Sequence, residues 1–288
     1  MIEGSTEKPN ADGTMNGNAP EGRARDPTAN GGRGDLPRHI LFRCFLRSLL
    51  LQANWNPRGM QSLGFVYAIE PALVSIYPNE TDRRRALKRH IEPFNTHPYM
   101  AEAILGGAIH HELAVSDGRS SPSKVKEFKG ALGGPLAALG DSFFWASLRP
   151  ASAALAAMLL PFIGAWTVLV FLLTYNGVHL AARTHLFLSG LRLGDGLLEA
   201  IGSMRLASRS ITLKKVTAVF LGVAAVTLVT AQISNLGYPI YWTVVIIIMA
   251  GGMIFRPSFA LPHRIYLLLL GVAGLGALLG LLGLLGTE

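Results

Sequence analysis

The chain has 288 residues, of which 50% are hydrophobic and only 15% are charged, and its formal net charge is +8. A soluble domain carries about 25% charged residues, so the composition favours an all-α integral membrane protein. The basic excess does not indicate a nucleic-acid-binding protein, because the basic residues cluster in short segments beside apolar runs, as positive-inside topology and anionic lipid headgroups favour.

The first segment, residues 1–38, is rich in Gly, Asn and Pro and holds six acidic and five basic residues. It has almost no apolar side chains that folding would bury. We therefore expect a disordered polar tail.

Residues 39–93 are expected to form amphipathic helices close to the cytoplasm. Apolar residues from Leu41 to Leu50 recur at helical spacing, while Arg43 and Arg47 lie on another face. This pattern predicts an N-terminal amphipathic helix, either lying among lipid headgroups or packed on protein. A mostly apolar helix follows over 58–77. A basic helix then begins with Thr81 or Asp82 as its cap.

Residues 94–150 contain two short apolar stretches, 97–115 and 131–148, on either side of a polar stretch. Glycines interrupt both, with "GG" at 106–107 and "GGP" at 133–135. This pattern predicts broken helices or a re-entrant hairpin. Irregular backbone at membrane depth is stable only where it is buried in protein or lines a cavity, so we expect a substrate path here.

Two groups of polar residues in this region allow more than one role. Asn95, Thr96 and His97 either cap the following helix or contact a ligand at its N-terminus. Asp141 is expected to cap a half-helix, to pair with Arg149, or to lie near the transport path.

Motifs of self-sufficient active sites are missing from the sequence. The "HHEL" segment lacks the second His of the zinc motif H-E-x-x-H, and the glycines at 133–135 are not followed by the Gly-Lys-Ser/Thr of a phosphate loop. The single cysteine, Cys44, excludes an intramolecular disulfide. We expect no catalytic residue, no metal site and no cofactor.

Residues 151–288 are expected to form a transmembrane helical region. No Asp, Glu, Lys or Arg occurs in 150–182, 216–255 or 265–287, and each run is long enough for a spanning helix. The segment "NLGYP" at 235–239 divides the middle run, which gives about four spans. The basic residues of 205–215 are expected to form a cytoplasmic loop before this divided run.

Four quoted segments resemble a known family. "FLRSLLLQANWNPRGMQSLGF", "IYPNE", "RHIEPFNTHPYMAEAILGGAI" and "KGALGGPLAALGDSFFWASLRP" occur in this order between residues 45 and 150. Together they are similar to the IID membrane subunit of mannose/fructose/sorbose-family sugar phosphotransferase systems. Beyond residue 150 the likeness rests on hydropathy alone.

The resemblance implies a multi-pass protein of the bacterial cytoplasmic (inner) membrane with a cytoplasmic N-terminus. Such a subunit pairs with a IIC membrane subunit, and the heterodimers are expected to trimerise within membrane lipids. The pair passes a hexose inward, where cytoplasmic IIB transfers a phosphoryl group that it receives from IIA. The IID subunit carries no phosphorylated histidine of its own and is not catalytic by itself.

The resemblance also implies which residues form the site. We expect Asn95, Thr96, His97, Asp141 and Ser142 to line the substrate path. Structural or ion-pairing roles are expected for Arg149, Glu112, Gly134, Pro135 and Gly140. Relatives commonly carry acidic residues where this chain has His110 and His111, which leaves the sugar undefined.

Two alternative functions remain open at this point. One is a regulatory or structural membrane protein that retains the IID scaffold. The other is a stand-alone secondary transporter, which would need charged residues in the late spans, whereas those runs are uncharged.

Overall fold

The computed structural model describes residues 36–234, and within this range the chain is helical without a β-strand. The predicted all-α architecture is confirmed. Its α-helices are α1 Arg38–Ser48, α2 Ser62–Ile76, α3 Glu80–His90, α4 Ala101–Ser116, α5 Pro122–Gly140, α6 Arg149–Ile163, α7 Thr167–Leu193, α8 Leu197–Ser203 and α9 Leu206–Ser234. The tail before residue 36 and the spans predicted after residue 234 lie outside the described residues.

Helix α1 packs against α2. Of the two arginines on its predicted polar face, one contacts α2. Arg47 Nη1 lies 2.5 Å from Glu70 Oε2, and its guanidinium lies 4.5 Å from the centroid of the Tyr67 ring. Arg43 is exposed, as is Phe42, which keeps 60% of its surface accessible. The helix therefore faces α2 with Arg47 and still presents apolar surface outward.

The cap of α3 differs from the predicted one. Asn79 is the N-cap, and its side-chain oxygen accepts hydrogen bonds from the backbone N–H groups of Thr81 (2.8 Å) and Asp82 (3.3 Å). The prediction of Thr81 or Asp82 as the cap is wrong. An asparagine oxygen reaches the amides two and three residues ahead of it, which places both of those residues inside the first turn.

Helix α4 is the central element, packed by α1, α2, α5 and α7 and buried on nearly all sides. Its apolar residues surround the helix, as expected for a helix enclosed by others. Gly106 and Gly107 do not break it, so the predicted interruption at this glycine pair is wrong. They serve close packing: a Cβ added to Gly106 would lie 2.2 Å from the carbonyl oxygen of Phe187.

The second glycine-rich stretch is also continuous. Helix α5 runs through Gly133, Gly134 and Pro135 and continues as a π-helix, Asp141–Leu148, into α6. The predicted break at 133–135 is therefore wrong. The irregular backbone lies before α4, at residues 91–100. A π-helical turn within an α-helix is rare and often marks a functional site.

The uncharged run 150–182 forms two helices, because Gly164 adopts a positive φ of 55° between α6 and α7. The basic cluster 205–215 lies in the first turns of α9, with the exception of Arg205 just before it, so the predicted loop is wrong. In the described part of the chain, one helical stretch, Pro122–Thr227, contains a segment long and apolar enough to cross a membrane, and only 6% of that segment is buried.

Candidate functional site

The irregular segment before α4 is held by a side chain that the sequence analysis did not identify. Gln61 Nε2 donates to the Thr96 carbonyl oxygen (2.7 Å), and its Oε1 accepts from the Thr96 backbone N–H (3.0 Å). The Gln61 backbone N–H also donates to the Phe94 carbonyl oxygen (2.9 Å). An amide side chain is suited to this task because it donates and accepts at once. The segment is therefore ordered without being helical.

The two predicted site segments meet at His97. A Cβ on Gly140 would lie 2.3 Å from His97 Cβ, so only glycine allows this approach of the α5 end. The imidazole stacks on Phe144 with centroids 5.3 Å apart and contacts the Trp145 ring at 4.6 Å. Hence the π-helix and the 95–97 segment form one site.

Five buried polar atoms have no hydrogen-bond partner among the described residues, and three of them belong to residues 96–102: Thr96 Oγ1, His97 Nε2 and Glu102 Oε2. The other two are His111 Nε2 and His179 Nδ1. His97 Nδ1 is used, since it accepts from the Tyr99 backbone N–H at 3.1 Å. Burial lowers the pKa of His97 to about 4, and the nearby Arg183 adds to this effect. The imidazole is therefore neutral at pH 7.

The remaining predicted path residues are more exposed. Asn95 and Asp141 are exposed and Ser142 is half-buried. Asp141 continues from α5 in helical conformation and does not cap a half-helix. Within residues 36–234 its carboxylate has no ion-pair partner, so the expected pair with Arg149, which is itself exposed, is wrong. The two residues are eight positions apart, because Asp141 begins the eight-residue π-helix and Arg149 directly follows it.

A pocket opens beside Asn95, with a volume of about 340 Å³. Gly134 lines it, whereas Pro135 is exposed on the next position of α5. Neighbouring Gly133 packs on the site segment, because its Cβ would lie 3.2 Å from the Asn95 carbonyl oxygen. The glycines of α5 therefore allow close contact on one side and leave space on the other.

Glu112 lies at the centre of a buried hydrogen-bond cluster. Arg89 donates to both of its carboxylate oxygens, each at 2.7 Å, in a bidentate pair. Tyr77 Oη donates to Oε2 (2.7 Å), and His90 Nε2 lies 2.8 Å from Oε1. Burial lowers the pKa of His90 to about 4, so this histidine is neutral and donates its Nε2 proton. The cluster ties α3 to α4.

A second buried carboxylate, Glu102, was not identified from the sequence. Arg183 Nε donates to its Oε1 (2.7 Å), as does Ser48 Oγ (3.0 Å), and the Arg183 guanidinium also donates to the Ser48 carbonyl oxygen (3.1 Å). The ring of Tyr99 lies 5.3 Å from the guanidinium carbon and stacks on His179 at 4.3 Å. The sequence holds one indication of a buried charge here, because Arg183 is the first charged residue after the uncharged run 150–182.

The histidine pair at the end of α4 contacts the turn after α7. His110 Nδ1 lies 2.9 Å from the Leu191 carbonyl oxygen, and Gly194 packs against the same ring. His111 Nε2 lies 3.5 Å from Asp195 Oδ1, too long for a strong hydrogen bond. These histidines therefore join α4 to the turn after α7.

Apart from the Glu102–Arg183 ion pair and the exposed Asp141 carboxylate, the site offers neutral hydrogen-bonding groups beside aromatic rings. Among the residues described it contains no nucleophile activated by a base. Such a lining matches a neutral polyhydroxyl ligand better than an ion, because unpaired buried charge is costly whereas neutral groups exchange hydrogen bonds at about 1 kcal/mol each. The arrangement can bind a polar, uncharged ligand.

The family profile described as "PTS system mannose/fructose/sorbose family IID component" matches residues 35–255 of this chain. The mannose-specific EIID component of Escherichia coli K12 is 37% identical over 160 residues, which cover 55% of this chain and 56% of that protein. The sorbose-specific EIID component of Klebsiella pneumoniae is 35% identical over 167 residues, covering 56% and 60%. The chain thus spans little more than half the length of the curated relatives it matches.

Two solved structures resemble the fold. A cryo-electron-microscopy structure of the mannose transporter ManYZ with microcin E492 has a chain that superposes with a TM-score of 0.53 and 26% identity, covering 88% of this chain and 99% of its own. A structure described as a membrane protein gives a TM-score of 0.61 at 26% identity, covering 84% and 98%. Since the family profile matches well over half of the chain, this protein belongs to the IID component family of the mannose/fructose/sorbose phosphotransferase systems.

Proposed function

We propose that this chain works as the IID membrane subunit of a hexose phosphotransferase system. With a IIC subunit it forms the hexose path, and IIB, recharged by IIA, phosphorylates the sugar on the cytoplasmic side. Family membership supports this role, as does the likeness to a chain of a complex described as a mannose transporter. The added phosphate prevents return of the sugar, because a charged product cannot cross an uncharged path.

The observation that carries the proposal is the set of unpartnered polar atoms at Thr96, His97 and Glu102. More than nine in ten buried polar groups in proteins are hydrogen-bonded, so three such atoms within seven residues call for an explanation. Sugar hydroxyls donate and accept hydrogen bonds and would satisfy all three. Asn95 and Asp141, both exposed next to this site, would extend the contacts toward a cavity completed by IIC.

The proposed location is the bacterial inner membrane, with several passes and a cytoplasmic N-terminus. The exposed apolar side chains of α6, α7 and the turn between them support it: Phe162 and Trp166 are 70% exposed and Leu173 is 74% exposed. Surface of this kind is stable against lipid or a second membrane subunit. Segment 94–150 would re-enter the membrane between the lipid and this second subunit. Helix α1 would lie near the lipid headgroups. The IIC–IID pairs would associate as trimers.

Uptake of hexose in cells tests the role of the whole chain. We expect phosphoenolpyruvate-dependent uptake to be lost when either this chain or its IIC partner is deleted, and to return when both are supplied. Uptake that persists without this chain would favour a regulatory or structural protein on the IID scaffold. Uptake by this chain without IIC, IIB and IIA would indicate a stand-alone transporter.

Single substitutions test the site itself. Asn95→Ala and Asp141→Ala should each lower uptake at least tenfold while leaving the amount of protein in the membrane unchanged, because both side chains are exposed. Glu127→Ala, also exposed on α5, is the matched control and should keep full uptake. Loss of membrane protein in the Asn95 or Asp141 variant would assign the residue a structural role instead.

A further inference from the structure

The pocket beside Asn95 has a lining that a neutral sugar does not require. Its charged residues are Arg89, Glu92, Lys126 and Lys129. The remaining lining comes from Met60, Pro93, Phe94, Asn95, Gly130, Gly133 and Gly134. Three cations against one carboxylate make this an electropositive pocket. Its volume of about 340 Å³ is at the lower end of the range for small-molecule sites, which begins near 300 Å³.

Two of the three cations are already paired. The Arg89 guanidinium is held bidentately by Glu112, which lies behind the pocket wall. Lys126 Nζ pairs with Glu92 at the pocket mouth. Lys129 is different: among the described residues no carboxylate lies within ion-pairing distance of its ammonium group. The pocket therefore retains about one positive charge.

Lys129 is buried, with 7% of its surface accessible, and its ammonium group lies beside two aromatic rings. Its ammonium lies 4.5 Å from the Phe65 ring centroid and 5.2 Å from that of Phe94. Within residues 36–234 its hydrogen bonds go to His90 and are long, at 3.5 Å to Nδ1 and 3.4 Å to the carbonyl oxygen. A buried ammonium with only weak partners is costly unless an anion completes its environment.

We propose that this pocket binds the phosphate group of a small phosphate monoester. The planar guanidinium that suits carboxylates is taken by Glu112. The remaining donors are the Lys129 ammonium, the N–H groups of Lys126 that Glu92 does not use, and the Asn95 amide. Ammonium groups are point donors that bind phosphate oxygens from several directions. The identification of the monoester as a hexose phosphate rests on the proposed function, whereas phosphate binding does not.

Glycines on α5 provide a sharp way to block the pocket. A Cβ on Gly130 or Gly134 would meet no atom within 4 Å, although both residues line the pocket. A side chain added there starts in open space at the pocket wall, so we expect a larger residue to reduce the pocket volume. Gly177 on α7 is equally open and lies outside the pocket, so it supplies the matched control.

The test is binding to the full chain in detergent at constant ionic strength, measured by calorimetry and by the shift in Tm. The probes are inorganic phosphate, hexose 6-phosphate and unphosphorylated hexose. We expect both phosphates to bind saturably. Lys129→Met and Gly134→Leu should each weaken phosphate binding at least tenfold, whereas Lys88→Met, which removes an exposed charge, and Gly177→Leu should not change it.

Each outcome bears on the proposal. The proposal is overturned if the full chain shows no saturable phosphate binding. It is also overturned if folded Lys129→Met and Gly134→Leu variants bind phosphate as tightly as the unchanged chain. Tighter binding of hexose 6-phosphate than of inorganic phosphate supports the hexose phosphate, and equal binding overturns that identification alone. Uptake separates the two proposals: full uptake without phosphate binding refutes only the pocket, and phosphate binding without uptake refutes only the transport role.

Discussion

At the residue scale, buried charges at two places connect the helices. Glu112 accepts hydrogen bonds from Arg89, His90 and Tyr77, so its charge is fully compensated. Glu102 pairs with Arg183, but its second carboxylate oxygen has no partner among residues 36–234. The first cluster has the geometry of a structural pair, and the second borders the proposed sugar path.

Removing the charge of Glu112 should destabilise the fold. In Glu112→Gln the Arg89 guanidinium loses its bidentate partner while remaining largely buried. Breaking a buried pair in this way costs about 3–5 kcal/mol, which thermal unfolding in detergent would measure. The matched control is Glu80→Gln, which breaks the exposed pair with Arg84 and should cost less than about 1 kcal/mol. Equal losses in the two variants would contradict the prediction.

His90 should make stability depend on pH. Burial lowers its pKa from 6.5 to about 4, so the unfolded chain binds a proton that the folded chain does not. Stability is then fully present above pH 6.5 and is lost as pH falls toward 4, by at most roughly 1.4 kcal/mol per pH unit. His97 acts with the same sign.

The measurement is the free energy of unfolding between pH 7 and 4. His90→Gln retains a donor for Glu112 but does not titrate, so the slope should become smaller, with the part due to His97 remaining. An unchanged slope would show that His90 is not the source.

At the element scale, the crossing of α4 and α7 depends on two glycines. A Cβ on Gly190 would lie 2.3 Å from the Ala103 carbonyl oxygen, and one on Gly106 is equally close to α7. Backbone atoms cannot yield as side chains do, so the helices must separate if either glycine is replaced. This contact brings Arg183 of α7 to Glu102 of α4.

Gly106→Ala should therefore cost about 2 kcal/mol or more and weaken the Glu102–Arg183 contact. Gly177→Ala on α7 is the control, because its Cβ would meet open space and alanine favours a helix by about 0.5–1 kcal/mol. Opposite signs of the change in Tm are expected. A stabilising Gly106→Ala would contradict the close crossing.

At the scale of the whole molecule, the described chain has an unusually apolar surface along α6 and α7. Only 6% of the most apolar segment within Pro122–Thr227 is buried, and apolar surface of this length is typical of a face that contacts lipid or another protein. Apolar side chains of α6 and α7 therefore face outward, toward whatever surrounds the protein.

A charge on this surface should oppose membrane insertion. Leu173→Arg places a guanidinium on the exposed face of α7, at a cost of about 3 kcal/mol if that face meets acyl chains. Ile91→Arg, at a 52% exposed position before α4, is the control and should insert normally. Fractionation of cell membranes measures the difference. Normal insertion of Leu173→Arg would indicate that this face does not contact lipid.

The structure confirms the predicted helical class but contradicts several predicted local features, each for a physical reason. The helical class followed from the uncharged runs, whereas the assignment of the 95–97 segment to a substrate path stays a prediction. The breaks at Gly106–Gly107 and Gly133–Pro135 were wrong, because glycine indicates either a break or a close contact and only the neighbouring helix distinguishes the two. The Asp141–Arg149 pair was wrong because the π-helix between them does not bring the side chains together.

Composition and local order along the chain were enough to identify a helical membrane protein and the family that its motifs resemble. Hydropathy and motif spacing depend on residues close in sequence, so both can be read without knowing how the helices pack. The partners of buried charges depended on tertiary structure: Glu112 meets Arg89 across 23 residues, and Glu102 meets Arg183 across 81. Such pairs form only where helices cross, and the crossing of α4 and α7 depends on how closely their backbones approach, which no local pattern records.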